Sequence, residues 1–198
     1  MRKRLLPLIA VLFLATTVAN AAHARKSHRA RHHNRRREYK EYTAAAYHPV
    51  DLNTDSVSAD NVIGFAQTLI GTRYRAASAN PLYGFDCSGF VSYVFKSFNV
   101  NVPRSSEEFY NAGERISMED AKPGDVILFT GTRTHHPHSI GHVGIVFSND
   151  SDGLKFIHST SGKEYGVTIT AMDDTYKRRF VQVVRLLKQN DDVVLASK

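Results

Sequence analysis

The spacing of apolar residues changes period part-way along this chain, and that change limits the fold more than any other feature. Upstream, Val62, Ile63, Phe65, Ala66, Leu69 and Ile70 recur at helical spacing behind Asp60 as a cap, with Gly71 as the stop. Phe90, Val91, Val94, Phe95 and Phe98 repeat the pattern behind Asp86. Downstream, residues 125–129, 142–147, 154–158, 166–169 and 179–185 read as strands with period 2. Turn-forming clusters separate them, among them Lys122-Pro123-Gly124-Asp125, Asn149-Asp150-Ser151-Asp152-Gly153 and Ser161-Gly162-Lys163. Helices first and short-linked antiparallel strands afterwards specify an α+β fold, with helices packed on a sheet of about five or six strands. The stretch 60–188 is the size of one domain with a single core, and no internal repeat divides it.

Cys87 is the sole cysteine. A lone cysteine is more often a small buried hydrophobe than a reagent. Its surroundings favour the reagent here. Asp86 as cap makes Cys87 the opening residue of an amphipathic helix, where unpaired backbone N–H groups and the positive end of the macrodipole favour a thiolate and are expected to lower the thiol pKa. A hydrolytic thiol also needs an imidazole to move its proton and a third group to hold that imidazole in one tautomer. His142, in Gly141-His142-Val143-Gly144, and His158, in Phe156-Ile157-His158-Ser159, lie in strand-like settings that would bring them side by side.

The first residues indicate export. Met1-Arg2-Lys3-Arg4 is a charged start, Leu5 to Val18 is an apolar run, and Ala19-Asn20-Ala21 or Ala22-His23-Ala24 supplies small residues at cleavage spacing. We read residues 1–24 as a signal peptide. An uncleaved anchor is the alternative, but the run is shorter than the ~20 residues that a spanning helix needs. No cysteine lies near the cleavage site, so no lipid is attached there, and the mature chain is expected to carry no transmembrane segment and to be periplasmic or secreted.

Residues 25–59 read as a basic, disordered arm followed by a small polar tether. Of the 26 basic and 19 acidic residues, 11 basic and 1 acidic lie in the first 40 positions, leaving 15 against 18. The folded part is therefore slightly acidic, which excludes a basic nucleic-acid-binding domain. The arm is expected either to hold anionic envelope polymers or lipid headgroups or to serve as a solvated linker. Residues 189–198 read as a flexible tail. His28, His32 and His33 have no fixed geometry for a metal, and a zinc site from His136, His138 and His142 lacks a fourth ligand. The loop containing His135, His136 and His138 either flanks a groove or is solvated.

Six blocks in order carry a resemblance: Gly71-Thr72-Arg73-Tyr74, Phe85-Asp86-Cys87-Ser88-Gly89-Phe90-Val91, Val102-Pro103-Arg104-Ser105-Ser106, Lys122 to Phe129, Gly141-His142-Val143-Gly144-Ile145 and Phe156-Ile157-His158-Ser159. Together they resemble the NlpC family of papain-like cell-wall cysteine peptidases over residues 60–187. The resemblance implies a peptidoglycan endopeptidase acting on stem peptides, at the γ-D-glutamyl to diamino-acid bond or the D,D-crosslink, without metal or organic cofactor. It implies Cys87 as nucleophile, His142 as base and His158 as its orienter. Tyr74 matches the family's tyrosine near the oxyanion position, and Asp86, Ser88, Arg104 and Ser105 match positions lining the substrate groove. The chain departs from the family pattern at Arg75-Ala76-Ala77-Ser78, in the segment from Ala79 to Gly84, and at Phe109, which stands where a glutamine is frequent. Two other readings are a non-catalytic envelope-binding module and an amidase or acyltransferase on the same scaffold.

Overall fold

The structure, a computed structural model, describes Thr54, residues 56–132 and residues 139–190. The leader, the basic arm, most of the tether, the loop with His135, His136 and His138, and residues 191–198 lie outside the described residues. No described helix is long and apolar enough to cross a membrane.

Helix α1 spans Ala59–Thr68. Its cap is Ser58 rather than Asp60: the Ser58 hydroxyl accepts from the Asn61 N–H at 3.2 Å, while Asp60 sits in the first turn, where its charge suits the dipole. Val62 and Ala66 form the buried stripe. A short hairpin, β1 (Ala79–Asn80) and β2 (Gly84–Phe85), then leads into α2, Cys87–Lys96. Asp86 caps α2 as expected, its Oδ1 accepting from the Gly89 N–H at 2.6 Å. Gly89 is required by packing, because a Cβ there would lie 2.1 Å from the Ser78 carbonyl oxygen of the loop that crosses the helix start.

The remaining strands are β3 (Glu114–Ile116), β4 (Val126–Thr130), β5 (Ile140–Asp150), β6 (Gly153–Ser159), β7 (Val167–Ala171) and β8 (Phe180–Arg185). They form one six-stranded antiparallel sheet in the order β3-β8-β4-β5-β6-β7. One face, with Val126, Leu128, Val143, Ile145, Ile157 and Val184, packs with Phe90, Val91, Val94 and Phe95 of α2. The other, with Ile127, Phe129, Val146, Phe156 and Val183, is covered by Met172 and by Tyr176 of a short helix α3, Asp174–Arg179. Burial on both faces explains why β4 reads as an uninterrupted apolar run.

The packed unit is longer than residues 60–188 at both ends. Thr54 and Val57 are buried, and the Thr54 hydroxyl accepts from the Lys188 N–H at 3.1 Å. Asn190, placed by sequence in the tail, is also buried. Its amide donates to the Pro123 carbonyl at 3.0 Å and to Asp125 Oδ1 at 3.3 Å. Asp125 is fully buried and receives the Arg185 guanidinium through two bonds, 3.0 Å to Oδ1 and 2.9 Å to Oδ2, with the Lys122 N–H 2.8 Å from Oδ2. This cluster locks the entry of β4 to the exit of β8.

Candidate active site

Cys87 lies where the helix layer meets the sheet. It is the first residue of α2, and the backbone N–H groups of Val143, Ser88 and Cys87 itself favour its thiolate. Val143 follows His142 on β5, so that strand passes directly beside the sulfur. The lowered thiol pKa expected from the helix start is nonetheless reversed. Burial pushes the Cys87 thiol up, the adjacent Asp86 carboxylate adds to the effect, and the three N–H groups do not offset them.

β5 and β6 bring the two histidines together, and no described hydrogen bond joins either ring to Cys87. His142 Nε2 and His158 Nδ1 are 2.7 Å apart, with ring centroids at 4.9 Å and nearly perpendicular planes. The second nitrogen of His158, Nε2, lies 2.9 Å from Thr170 Oγ1 on β7. His158 is fully buried between Phe156, 4.7 Å away between centroids, and Tyr176, 5.8 Å away. Gly144 makes room for it, since a Cβ there would approach the His158 Cβ to 3.1 Å.

Both imidazoles are held neutral. Burial lowers the pKa of His142 well below its ordinary value, helped by His158 and by the positive Arg179, and burial followed by Arg179 lowers that of His158 to about 3. Arg179 is anchored by two bonds, 3.0 and 2.7 Å, to the Thr130 carbonyl and lies over the Tyr176 ring. The sign for stability follows directly. The unfolded chain binds a proton at His158 below about pH 6.5 and the folded chain does not until about pH 3, so stability falls on acidification through that window. Between about pH 7 and about pH 5.5 this one group is expected to remove about 1 kcal/mol. Urea unfolding of wild type at the two pH values should show at least that increment, since the depressed His142 adds to it, and His158→Gln should show a smaller fall. An identical pH response in the variant would contradict the assignment.

The residues that the family resemblance assigns to a groove are partly connected. Arg104 grips Asp86 through two bonds, 3.0 Å to Oδ1 and 2.7 Å to Oδ2, and also donates to the Ser88 hydroxyl at 3.0 Å. The guanidinium remains half-exposed and close enough to Cys87 to feel its charge. Tyr74 is close enough to Cys87 and Asp86 that both, after burial, push its phenol up, so it stays protonated and able to donate. Ser105 is exposed, its backbone N–H donating to Glu108, and no described hydrogen bond joins it to the Asp86–Ser88–Arg104 group. Phe109 is fully buried in the core, not in the groove.

Sequence reasoning missed four supporting residues: Thr170, Tyr176, Arg179 and Ser159. The buried Ser159 hydroxyl donates to the Phe85 carbonyl at 2.8 Å, tying the end of β6 to the residue before the cap of α2. Its place directly after His158 was the one available signal. Thr170 directly follows an ordinary alternating run, Tyr176 lies between the strands read from sequence and Arg179 opens the last of them, so nothing local marks them.

The sequence model of the NlpC/P60 family matches residues 71–185. The gamma-DL-glutamyl hydrolase of Bacillus subtilis (strain 168) is 34% identical over 127 residues, covering 63% of this chain and 29% of that protein. The murein DD-endopeptidase MepS/murein LD-carboxypeptidase of Escherichia coli (strain K12) is 33% identical over 122 residues, covering 61% of this chain and 58% of that protein. Among solved structures, an NlpC/P60 family protein from Bacillus cereus ATCC 10987 superposes with a TM-score of 0.59 at 27% identity, covering 68% of this chain and 42% of the other. The chain thus spans less than two thirds of the length of each of these relatives.

Proposed function

This chain belongs to the NlpC/P60 family, and on that premise we propose that it is an exported cysteine endopeptidase that hydrolyses peptidoglycan stem peptides through a thioacyl intermediate on Cys87. The observation that carries the reading is the His142–His158 pair held at 2.7 Å across β5 and β6, with β5 reaching the thiol at the start of α2 through the Val143 N–H. A module that only bound the polymer would have no use for two neutral imidazoles bonded in series.

The elevated thiol and depressed imidazoles make the resting pair uncharged, so proton transfer accompanies attack. His142 Nδ1, the nitrogen not used in the bond to His158, takes the proton as the Cys87 sulfur bonds to the amide carbon. The oxyanion is met by the Cys87 N–H and the Tyr74 phenol. As the C–N bond breaks, the imidazolium returns the proton to the leaving amine. Water then gives a proton to His142 while attacking the thioester, and cleavage of the C–S bond restores the thiol.

The γ-D-glutamyl to diamino-acid bond is the first candidate; the name of the Bacillus subtilis relative supports its γ-glutamyl side alone, and the Escherichia coli relative's name, a DD-endopeptidase, supports the D,D-crosslink. Arg104 is the group we assign to a substrate carboxylate. The charged start, apolar run and small residues of positions 1–24 support export with cleavage near Ala21 or Ala24 and a soluble mature enzyme in the periplasm or outside the cell. The basic arm supports retention on anionic envelope polymer or headgroups. Mass spectrometry of purified peptidoglycan digested by the mature protein and by Cys87→Ala tests the reading. New amine ends that vanish in the variant are expected, and the fragment masses name the bond. Intact peptides that still sediment with wild-type protein would instead indicate a binding module.

A further inference from the structure

A histidine pair bonded nitrogen to nitrogen carries one proton in the shared bond, and the direction of that bond decides whether the pair can serve as a base. Two arrangements fit the 2.7 Å separation of His142 Nε2 and His158 Nδ1. In one, His142 donates through Nε2–H, which leaves Nδ1 unprotonated and able to act as a base. In the other, His158 donates through Nδ1–H, which puts the His142 proton on Nδ1 and blocks it. The choice passes to the outer nitrogen, His158 Nε2, and its partner is Thr170 Oγ1 at 2.9 Å.

We propose that Thr170 is a positioning residue for the pair: its hydroxyl oxygen accepts from His158 Nε2–H and so holds both imidazoles in the tautomer that leaves His142 Nδ1 able to take the thiol proton. Placement supports this. Thr170 stands opposite Phe156 in the β6–β7 register, one step along the same face from His158, so the sheet itself fixes the hydroxyl at the ring edge. His158 is fully buried, and an Nε2–H without an acceptor there would carry the desolvation penalty of an unmade bond. The reversed arrangement fails once the thiol proton has moved, because the His142 imidazolium would point Nε2–H at the Nδ1–H of His158. The arrangement with Thr170 as acceptor suits both the resting and the charged states.

The catalytic consequence rests on the thiol-peptidase reading above, whereas the tautomer itself does not. The first readout is therefore taken on the free, full-length protein: long-range ¹H–¹⁵N NMR of the histidine side chains, which separates Nδ1–H from Nε2–H forms. Wild type is expected to show Nε2–H at both His142 and His158. Thr170→Val keeps the shape and removes the acceptor; it should move both protons to Nδ1 and lower kcat by about 10-fold or more. Thr170→Ser restores the hydroxyl and should keep the wild-type tautomers and return kcat to within about 3-fold. If the valine variant does not fold, Thr170→Ala makes the same comparison. Wild type with Nδ1–H at either ring, or Nε2–H forms that persist without the hydroxyl, would overturn the proposal. The expected tautomer change in a protein that cleaves no peptide would uphold it while sinking the functional reading.

Discussion

His142→Ala is expected to lower kcat by about 10³-fold or more at neutral pH while leaving the fold intact. The size follows from the electrostatics of the pair. In a site with a preformed thiolate, removing the histidine leaves the nucleophile ready. Here burial and Asp86 push the Cys87 thiol up, so the sulfur remains protonated without a base beside it. Alkaline conditions should not restore full activity, because ionising the thiol supplies the nucleophile but not the proton that the leaving amine requires. The check is a pH–rate profile of wild type and variant on one stem peptide, with circular dichroism as the control for folding. A variant that regains wild-type kcat at high pH would show that His142 acts only on the thiol.

Asp125→Ala is expected to cost about 3–5 kcal/mol of folding stability, the range for leaving one member of a buried pair without its partner. The carboxylate is fully buried and receives Arg185 twice, the Lys122 N–H and the Asn190 amide. Removing it takes the carboxylate from a guanidinium whose side chain is itself only 9% exposed and leaves the Asp120 carbonyl, 3.1 Å from Nη2, as an acceptor without charge. Replacing both partners by apolar residues, Asp125→Leu with Arg185→Met, should recover much of the loss, since the cost lies in the uncompensated charge. Chemical denaturation of the three proteins measures it. A loss under about 1 kcal/mol for the single variant would mean that water or another group satisfies Arg185. The cluster lies at the opposite end of β4 from the histidines, so activity per folded molecule should change little.

The same residues show where sequence reading succeeds. The α2 helix was legible because its cap and its apolar stripe agree, and the strands carrying His142 and His158 were legible because alternation and turn clusters agree. The family blocks singled out Asp86, Ser88 and Arg104 as groove positions without indicating that they bond to one another, and the structure joins them in a connected group. Three things were not legible. The β1–β2 hairpin and β3 are two or three residues long, too short for any periodicity to register. The thiol's direction of shift depends on burial and on Asp86 together, and a cap that stabilises the helix is also a negative charge against the sulfur. The shell of Thr170, Tyr176 and Arg179 is assembled by the return of β7 and α3 across the sheet, a tertiary event with no local mark.

The central claim is an acyl group carried on Cys87. Intact-protein and peptide mass spectrometry of the enzyme, acid-quenched within the first turnovers on a purified stem peptide, tests it most directly. The account predicts a transient adduct on the peptide containing Cys87 with the mass of the acyl fragment, absent from Cys87→Ala, which releases no amine. Steady cleavage by the alanine variant would contradict it, as would turnover by wild type with the acyl group found on another residue.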